Sequence, residues 1–449
     1  MQFQALPGFR DFFPADLALR SHIFATWRSV AARYGYEEYD GPPLEALELY
    51  TAKSGDEIVG QLYNFVDKGG REVSLRPEMT PTLARMVAAR ANGLRKPIRW
   101  FAIPQLFRHE RQQRGRLREH FQLNCDLIGE TGPLGDAEVV ALALDVLRAF
   151  GFTSRDVRVR LSDRRVLAAL LMGGGVTEAQ LPAAYAAVDK IERMSRADLA
   201  FQMHAGGLSG AAIEHVLEVA ALRGADAVFA ALERLPGGTA AGAPLRATME
   251  GLGAMGLGEY VDLDLTIVRG LAYYTGTVFE LFDAGRSLRA ICGGGRYDNL
   301  LQALGGVDLP AAGFGMGDVV LAELLKEHGR VPEVAHRLDA YVVSVTPEDV
   351  PHALALVHEL RDAGFRVSHA LQPQAVGRQL TDADARGARA ALVVGPDDRV
   401  RGEVQLKDLA AKAQRAVARG EVAAALAALA GDTGARPPLT VQPQAPTHG

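Results

Sequence analysis

The sequence predicts an α+β chain, with a sheet domain interrupted by helices and followed by a smaller α/β domain. Three observations carry this. Residues 107–129 alternate apolar and polar side chains on both sides of a charged loop, the pattern of two half-buried strands in a hairpin. Residues 162–255 are alanine-rich and read as helix almost throughout. From 338 onward strand-like and helix-like segments alternate, which implies a mixed sheet with helices on both faces. The expected divisions are a sheet domain in two parts (1–161 and 256–330), a helical insertion at 162–255, an α/β domain at 338–430 and a disordered tail at 431–449.

Taken in order, residues 6–14 form a turn-rich entry, after which Ile23, Trp27, Val30 and Tyr34 fall on one face of a helix spanning 15–34. Gly35 closes it, and a short strand leads to Pro42. Residues 61–67 and 72–77 read as a hairpin turning at Lys68-Gly69-Gly70, followed by a helix at 79–92 and a strand at 98–103. After the charged hairpin come a helix at 136–150 and a strand at 157–161, with Ser162 expected to cap the first helix of the insertion. In the last domain, strands at 339–345, 366–370, 389–394 and 403–406 alternate with helices, the first opened by the capping box Thr346-Pro347-Glu348-Asp349.

Composition narrows the function classes. At 449 residues, with 48% hydrophobic and 23% charged side chains, the chain is long enough for two to four domains and ordinary for a water-soluble protein. The net charge of −5 argues against a generally basic nucleic-acid coat, so any RNA contact must come from local arginines. Cys125 and Cys292 are the only cysteines, in unrelated contexts, which suits a reducing compartment without a disulfide framework or zinc site. No apolar run reaches membrane-span length and no signal-peptide core opens the chain, so a cytoplasmic location without membrane contact is expected.

Chemistry concentrates in three stretches. The hairpin loop carries Arg108, Arg111, Arg114, Arg116 and Arg118, and a guanidinium's planar fork matches phosphate and carboxylate. A solvated basic loop would look the same, but Gln122, Asn124 and Asp126 on the return strand share one face beside it, as a site would. In LRPEMT, Glu78 and Thr80 follow a proline at a strand-to-helix change, where they either hold a ligand or merely start a helix. The third stretch, RGLAYYTGTVFE and GGGRYDNL, brings Arg269, Tyr273, Tyr274 and Tyr297 near three consecutive glycines whose bare backbone can lie against a ligand or form a bulge. The run Gly251-Leu252-Gly253-Ala254-Met255-Gly256 fits the dinucleotide spacing but lies between a helix and a following strand, the wrong context, and no phosphate-binding loop of the GxxxxGK[ST] type occurs.

LRPE-x-T, FRHER, GRLREHFQ, RGLAYYTG and GGGRYD, in this order, resemble the signature peptides of the histidyl-tRNA synthetases, a class II aminoacyl-tRNA synthetase family. The resemblance covers residues 1–430. It implies an antiparallel class II catalytic sheet with a helical insertion, a C-terminal anticodon-binding α/β domain, and a homodimer whose interface involves the first helix and Pro42. It also implies the reaction: L-histidine and ATP give histidyl-adenylate, and the histidyl group passes to tRNA(His). Carried over by position, Arg269 and Arg108 are the catalytic residues, with Arg116 joining them on ATP. Glu78, Thr80, Gln122, Asp126, Tyr273, Tyr274 and Tyr297 would hold histidine, magnesium would accompany ATP with no ligands assigned, and Arg378, Arg386 and Lys407 would contact RNA. The family usually has glutamate where Asp126 stands, and the shorter side chain would move the ammonium contact.

One departure stands out. Residues 311–325 occupy the place of the third class II motif, yet Asp318-Val319-Val320 replaces its Leu-Glu-Arg, so Val320 stands where an ATP-contacting arginine is usual. The alternative that this admits is an inactive, synthetase-like regulatory subunit of ATP phosphoribosyltransferase. The retained Glu78, Arg108, Gln122, Arg269 and tyrosines favour the enzyme.

Overall fold

In the computed structural model, which describes residues 3–51, 59–111, 113–268, 274–285, 288–332 and 338–431, the chain forms two compact units, 1–332 and 333–449. The first is organised on a nine-stranded sheet. Its order is Glu37–Glu38, Ile98–Ala102, Glu119–Ile128, Ala311–Gly317, Cys292–Arg296, Thr277–Asp283, Val157–Asp163 and Val261–Leu263, with Gln105–Phe107 on the far end of the long strand. The interior pairs are antiparallel and only the two edge pairs are parallel. A three-stranded sheet, Leu44–Ala46, Glu72–Leu75 and Tyr63–Val66, adjoins the LRPE segment.

The helix Pro14–Arg33 starts on a proline whose missing N–H costs nothing at that position. It buries Leu19, Ile23, Trp27, Val30 and Ala31. Tyr34, expected on the same face, lies just past its end, and its hydroxyl donates to Asp145 at 2.7 Å. The helix Pro133–Ala149 is buried along most of its length because it is covered by the sheet, the first helix and the helix Gly238–Ala254.

Ser162 does not open the insertion. The strand runs two residues further, to Asp163, whose carboxylate accepts from the Arg165 N–H and so caps the helix Arg164–Gly173. A buried serine on the strand leaves the cap to the following acid. The helices from Arg164 to Ala254 share one continuous apolar core with the sheet, Val216 and Leu199 belonging to the same cluster as Leu127 and Val159. The GxGxxG run falls at the end of the helix Gly238–Ala254, before the strand Val261–Leu263.

The second unit holds a five-stranded sheet in the order Val367–His369, Leu338–Ser344, Ala388–Val394, Glu403–Asp408 and Ala413–Ala418, the first three parallel and the rest antiparallel. Apolar clusters on its two faces are covered by Val350–Asp362 and Val422–Ala430 on one side and by Val376–Ala385 on the other. The strand Ala413–Ala418 and the helix after it were not read from the sequence. That strand is mostly exposed at the sheet edge, so it carries little apolar alternation. Among the described residues no single helix is long and apolar enough to cross a membrane.

Candidate active site

The long strand Glu119–Ile128 sets the site. His120, Gln122, Asn124 and Asp126 alternate along it, and all four side chains line cavities on one face of the sheet. A smaller cavity of about 90 Å³ is walled by Glu78, Thr80, Gln122, Asn124, Asp126, Tyr274 and Tyr297. A larger one of about 280 Å³ is walled by Arg116, Glu110, His120, Glu280, Arg289 and Val320. Arg108, Gln122, Gly293 and Gly315 line both.

Small residues on the next strand make room for this face. Gly315 pairs with Asn124 and Gly313 with Asp126. A side-chain carbon at Gly315 would meet the Gln122 amide at 2.7–2.9 Å, and one at Gly313 would strike the Asp126 carboxyl. In the triple glycine only Gly293 faces the cavities. A side-chain carbon at Gly295 would meet the Thr277 carbonyl at 2.5 Å and the Tyr274 ring at 2.9 Å, and one at Gly294 would strike the strand of Phe314, so close strand packing requires these two glycines.

At the floor of the smaller cavity Asp126 is enclosed, and the Tyr297 hydroxyl donates to its carboxyl. Burial pushes the Asp126 carboxyl up to about 7, and the Tyr297 hydrogen bond pulls the other way. Glu78 and Thr80 stand half-buried in the same cavity. Thr80 is the first residue of its helix and does not cap it. Their approach is fixed by the buried Arg76, which donates to Asp40 at 2.8 Å and to the carbonyls of Gly41 and Gln105 at 2.7 and 3.0 Å. Arg108 ties the hairpin to the same segment through the Pro77 carbonyl at 3.0 Å.

In the larger cavity the hairpin loop is itself braced. Arg116 pairs with Glu110 at 2.8 Å, and Arg114 reaches Glu323 at 3.2 Å and also Glu327 on the helix Asp318–Glu327. His120 is pushed down to about 3 by burial and by the charges of Arg108, Arg10 and Arg116, so it presents a neutral ring. Sequence reasoning missed His120, although the period that picked out Gln122, Asn124 and Asp126 reaches it two residues earlier. Arg289, Glu110 and Glu280 carried no such pattern.

Asp318, in the departure from the third motif, is buried. It accepts from Arg10 and from the Phe121 N–H, both at 2.9 Å, while Arg10 also donates to Glu119 at 2.6 Å. The entry segment, the long strand and the following helix are thereby pinned together. Arg269 and Tyr273 lie outside the described residues. In the second unit, Arg378 and Arg386 are exposed near the two ends of the helix Val376–Ala385, Arg386 being engaged by Asp382 at 3.2 Å, and Lys407 is half-buried near the end of the strand Glu403–Asp408.

Comparison with known proteins matches residues 8–318 to the family described as "Histidyl-tRNA synthetase" and residues 339–429 to "Anticodon binding domain". The chain is 47% identical to a histidine–tRNA ligase of Opitutus terrae, over 94% of this chain and 97% of that one. It is 40% identical to a chloroplastic/mitochondrial histidine–tRNA ligase of Arabidopsis thaliana, over 91% and 83%. Among solved structures, histidyl-tRNA synthetase from Nostoc sp. PCC 7120 superposes with a TM-score of 0.80 at 26% identity, covering 95% and 99% of the two chains. A Bacillus halodurans protein described as an ATP phosphoribosyltransferase regulatory subunit/histidyl-tRNA synthetase gives 0.73 at 25%, covering 88% and 98%. With the paired cavities, the antiparallel sheet and matches that span nearly all of its length, the chain belongs to the histidyl-tRNA synthetase family.

Proposed function

We propose that this chain is an ATP-dependent histidine–tRNA ligase that joins L-histidine to ATP in the two adjoining cavities and then charges tRNA(His). The observation that carries the reading is the wall common to both cavities, formed by Arg108 and Gln122. A carboxylate held in the smaller cavity and an α-phosphate held in the larger one meet at that wall. The carboxylate oxygen bonds to phosphorus and pyrophosphate leaves. Two anions approach in this step, and a fixed guanidinium lowers the barrier without any nucleophilic side chain.

Glu78 and Thr80 take the substrate ammonium group. The bond from Tyr297 supports assigning Asp126 to the imidazole end with Tyr274, so the ammonium contact expected of Asp126 passes to Glu78. Imidazole needs a partner at each nitrogen, which a carboxyl and tyrosine hydroxyls supply and an apolar slot does not. Arg116 binds the phosphates, and Arg269 completes the charge at the reacting centre. Arg269→Ala is expected to fold and to lose most adenylate formation.

Magnesium on ATP would supply charge neutralisation of the phosphates. Hard oxygen donors suit it, and Glu110 and Glu280 are the carboxylates of the larger cavity that would meet it. Among the described residues no cluster of three metal-binding side chains stands apart from ATP as a resident site. Pro42 and the first helix are assigned to a homodimer interface, and the second unit to the anticodon. Incubation with ATP, labelled histidine and a tRNA(His) transcript should give acid-precipitable histidyl-tRNA. A folded protein that forms none would overturn the proposal.

A further inference from the structure

The site lacks the arginine that the third motif usually brings to ATP, and Val320 stands in its place. The structure shows what occupies the surrounding space. Val320 is buried and lines the larger cavity, its Cγ2 lying 3.2 Å from the point where a side chain on Gly115 would begin. The Cδ of Arg289 lies 3.9 Å from that same point. Two side chains on separate elements therefore converge on the turn of the arginine loop, one short and apolar, the other long and cationic.

Arg289 lines the larger cavity and not the smaller. Among the described residues its guanidinium makes no hydrogen bond or ion pair, whereas Arg116 beside it is engaged by Glu110. Burial and the neighbouring positive charge of Arg116 both disfavour the Arg289 charge, and the Glu110 carboxylate only partly offsets them. A cation held next to another cation at a cavity wall is relieved by an anion binding between them.

We propose that Arg289 is the ATP clamp of this chain, entering from the segment before the triple glycine to fill the space that a residue larger than Val320 would occupy. Its target is the pyrophosphate portion of ATP. Arg108, on the shared wall, is nearest the reacting carboxylate, and Arg289 lies off that wall. The inference rests on the ligase reading and assigns one more binding residue to the same site. It also accounts for a valine at 320: a longer side chain there would collide with the Arg289 stem over Gly115.

The test uses the full chain in histidine-dependent ATP–pyrophosphate exchange with ATP varied. Arg289→Ala is expected to raise the KM for ATP about 10- to 100-fold and to leave the KM for histidine within about twofold, one charge-assisted contact being lost. Arg289→Lys should fall between. Adding Val320→Arg to Arg289→Ala should recover about tenfold, because the second arginine enters the vacated space. An ATP KM within about twofold of wild type in folded Arg289→Ala overturns the proposal, and a double variant no better than Arg289→Ala overturns the shared position. Calorimetry with ATP alone separates this inference from the ligase reading. In a protein that forms no adenylate, weaker ATP binding by Arg289→Ala still supports the clamp, and equal binding refutes it.

Discussion

The Tyr297 hydroxyl donates to the buried carboxyl of Asp126 across 171 residues of sequence, and this contact closes the floor of the smaller cavity. Tyr297→Phe removes the donor and keeps the ring. It should raise the KM for histidine about 10- to 100-fold while leaving the KM for ATP within about twofold, because a buried acceptor left unpaired costs about 1–3 kcal/mol. Exchange kinetics with each substrate varied in turn read this split. Equal effects on both substrates would assign the tyrosine to packing alone.

Asp126 also makes the protein sensitive to pH. Its folded value, about 7, lies above the ordinary carboxylate range because burial disfavours the charge. Between about pH 4 and that value the folded protein holds a proton that the unfolded chain has released. The stabilisation is therefore complete below about pH 4 and is lost as pH rises to 7, a swing of up to about 4 kcal/mol for three units. Asp126→Asn, which cannot ionise, should melt a few degrees above wild type at pH 8 and close to it at pH 4.5. A variant less stable than wild type at pH 8 would contradict the cause given for the shift.

Arg296, inside the GGGRYD peptide, holds the sheet to the helix Pro133–Ala149. It is 2% exposed and donates to Asp136 at 2.8 Å, to the Glu130 carbonyl at 2.8 Å and to Asp298 at 3.1 Å. Arg296→Met strands the buried Asp136 and should cost about 3–5 kcal/mol in urea unfolding. Arg296→Met with Asp136→Leu should recover much of that loss. A single variant as stable as wild type would show that the pair contributes nothing.

These residues mark where the sequence was legible. The period of two that picked out Gln122, Asn124 and Asp126 holds because one face of their strand borders a cavity. The structure adds the glycines at 313 and 315, which give the Gln122 and Asp126 side chains space across the neighbouring strand. Arg76 and Arg296 lie within recognisable peptides yet serve packing and positioning, which residue type alone does not reveal. The Arg10–Asp318 pair joins positions 308 apart, and Arg289, in the segment before the strand Cys292–Arg296, reaches its cavity only because the fold brings that segment beside the arginine loop. Contacts of that range leave no local pattern. The cap at Asp163 instead of Ser162 was lost for a simpler reason, since either residue could serve and only the strand's length decides.

Two cavities built in this way should activate histidine and no other amino acid. ATP–pyrophosphate exchange measured with each of the twenty amino acids tests this most directly. Exchange with histidine alone is the predicted result. A folded protein that gives no exchange with histidine, or equal exchange with several amino acids, would contradict it.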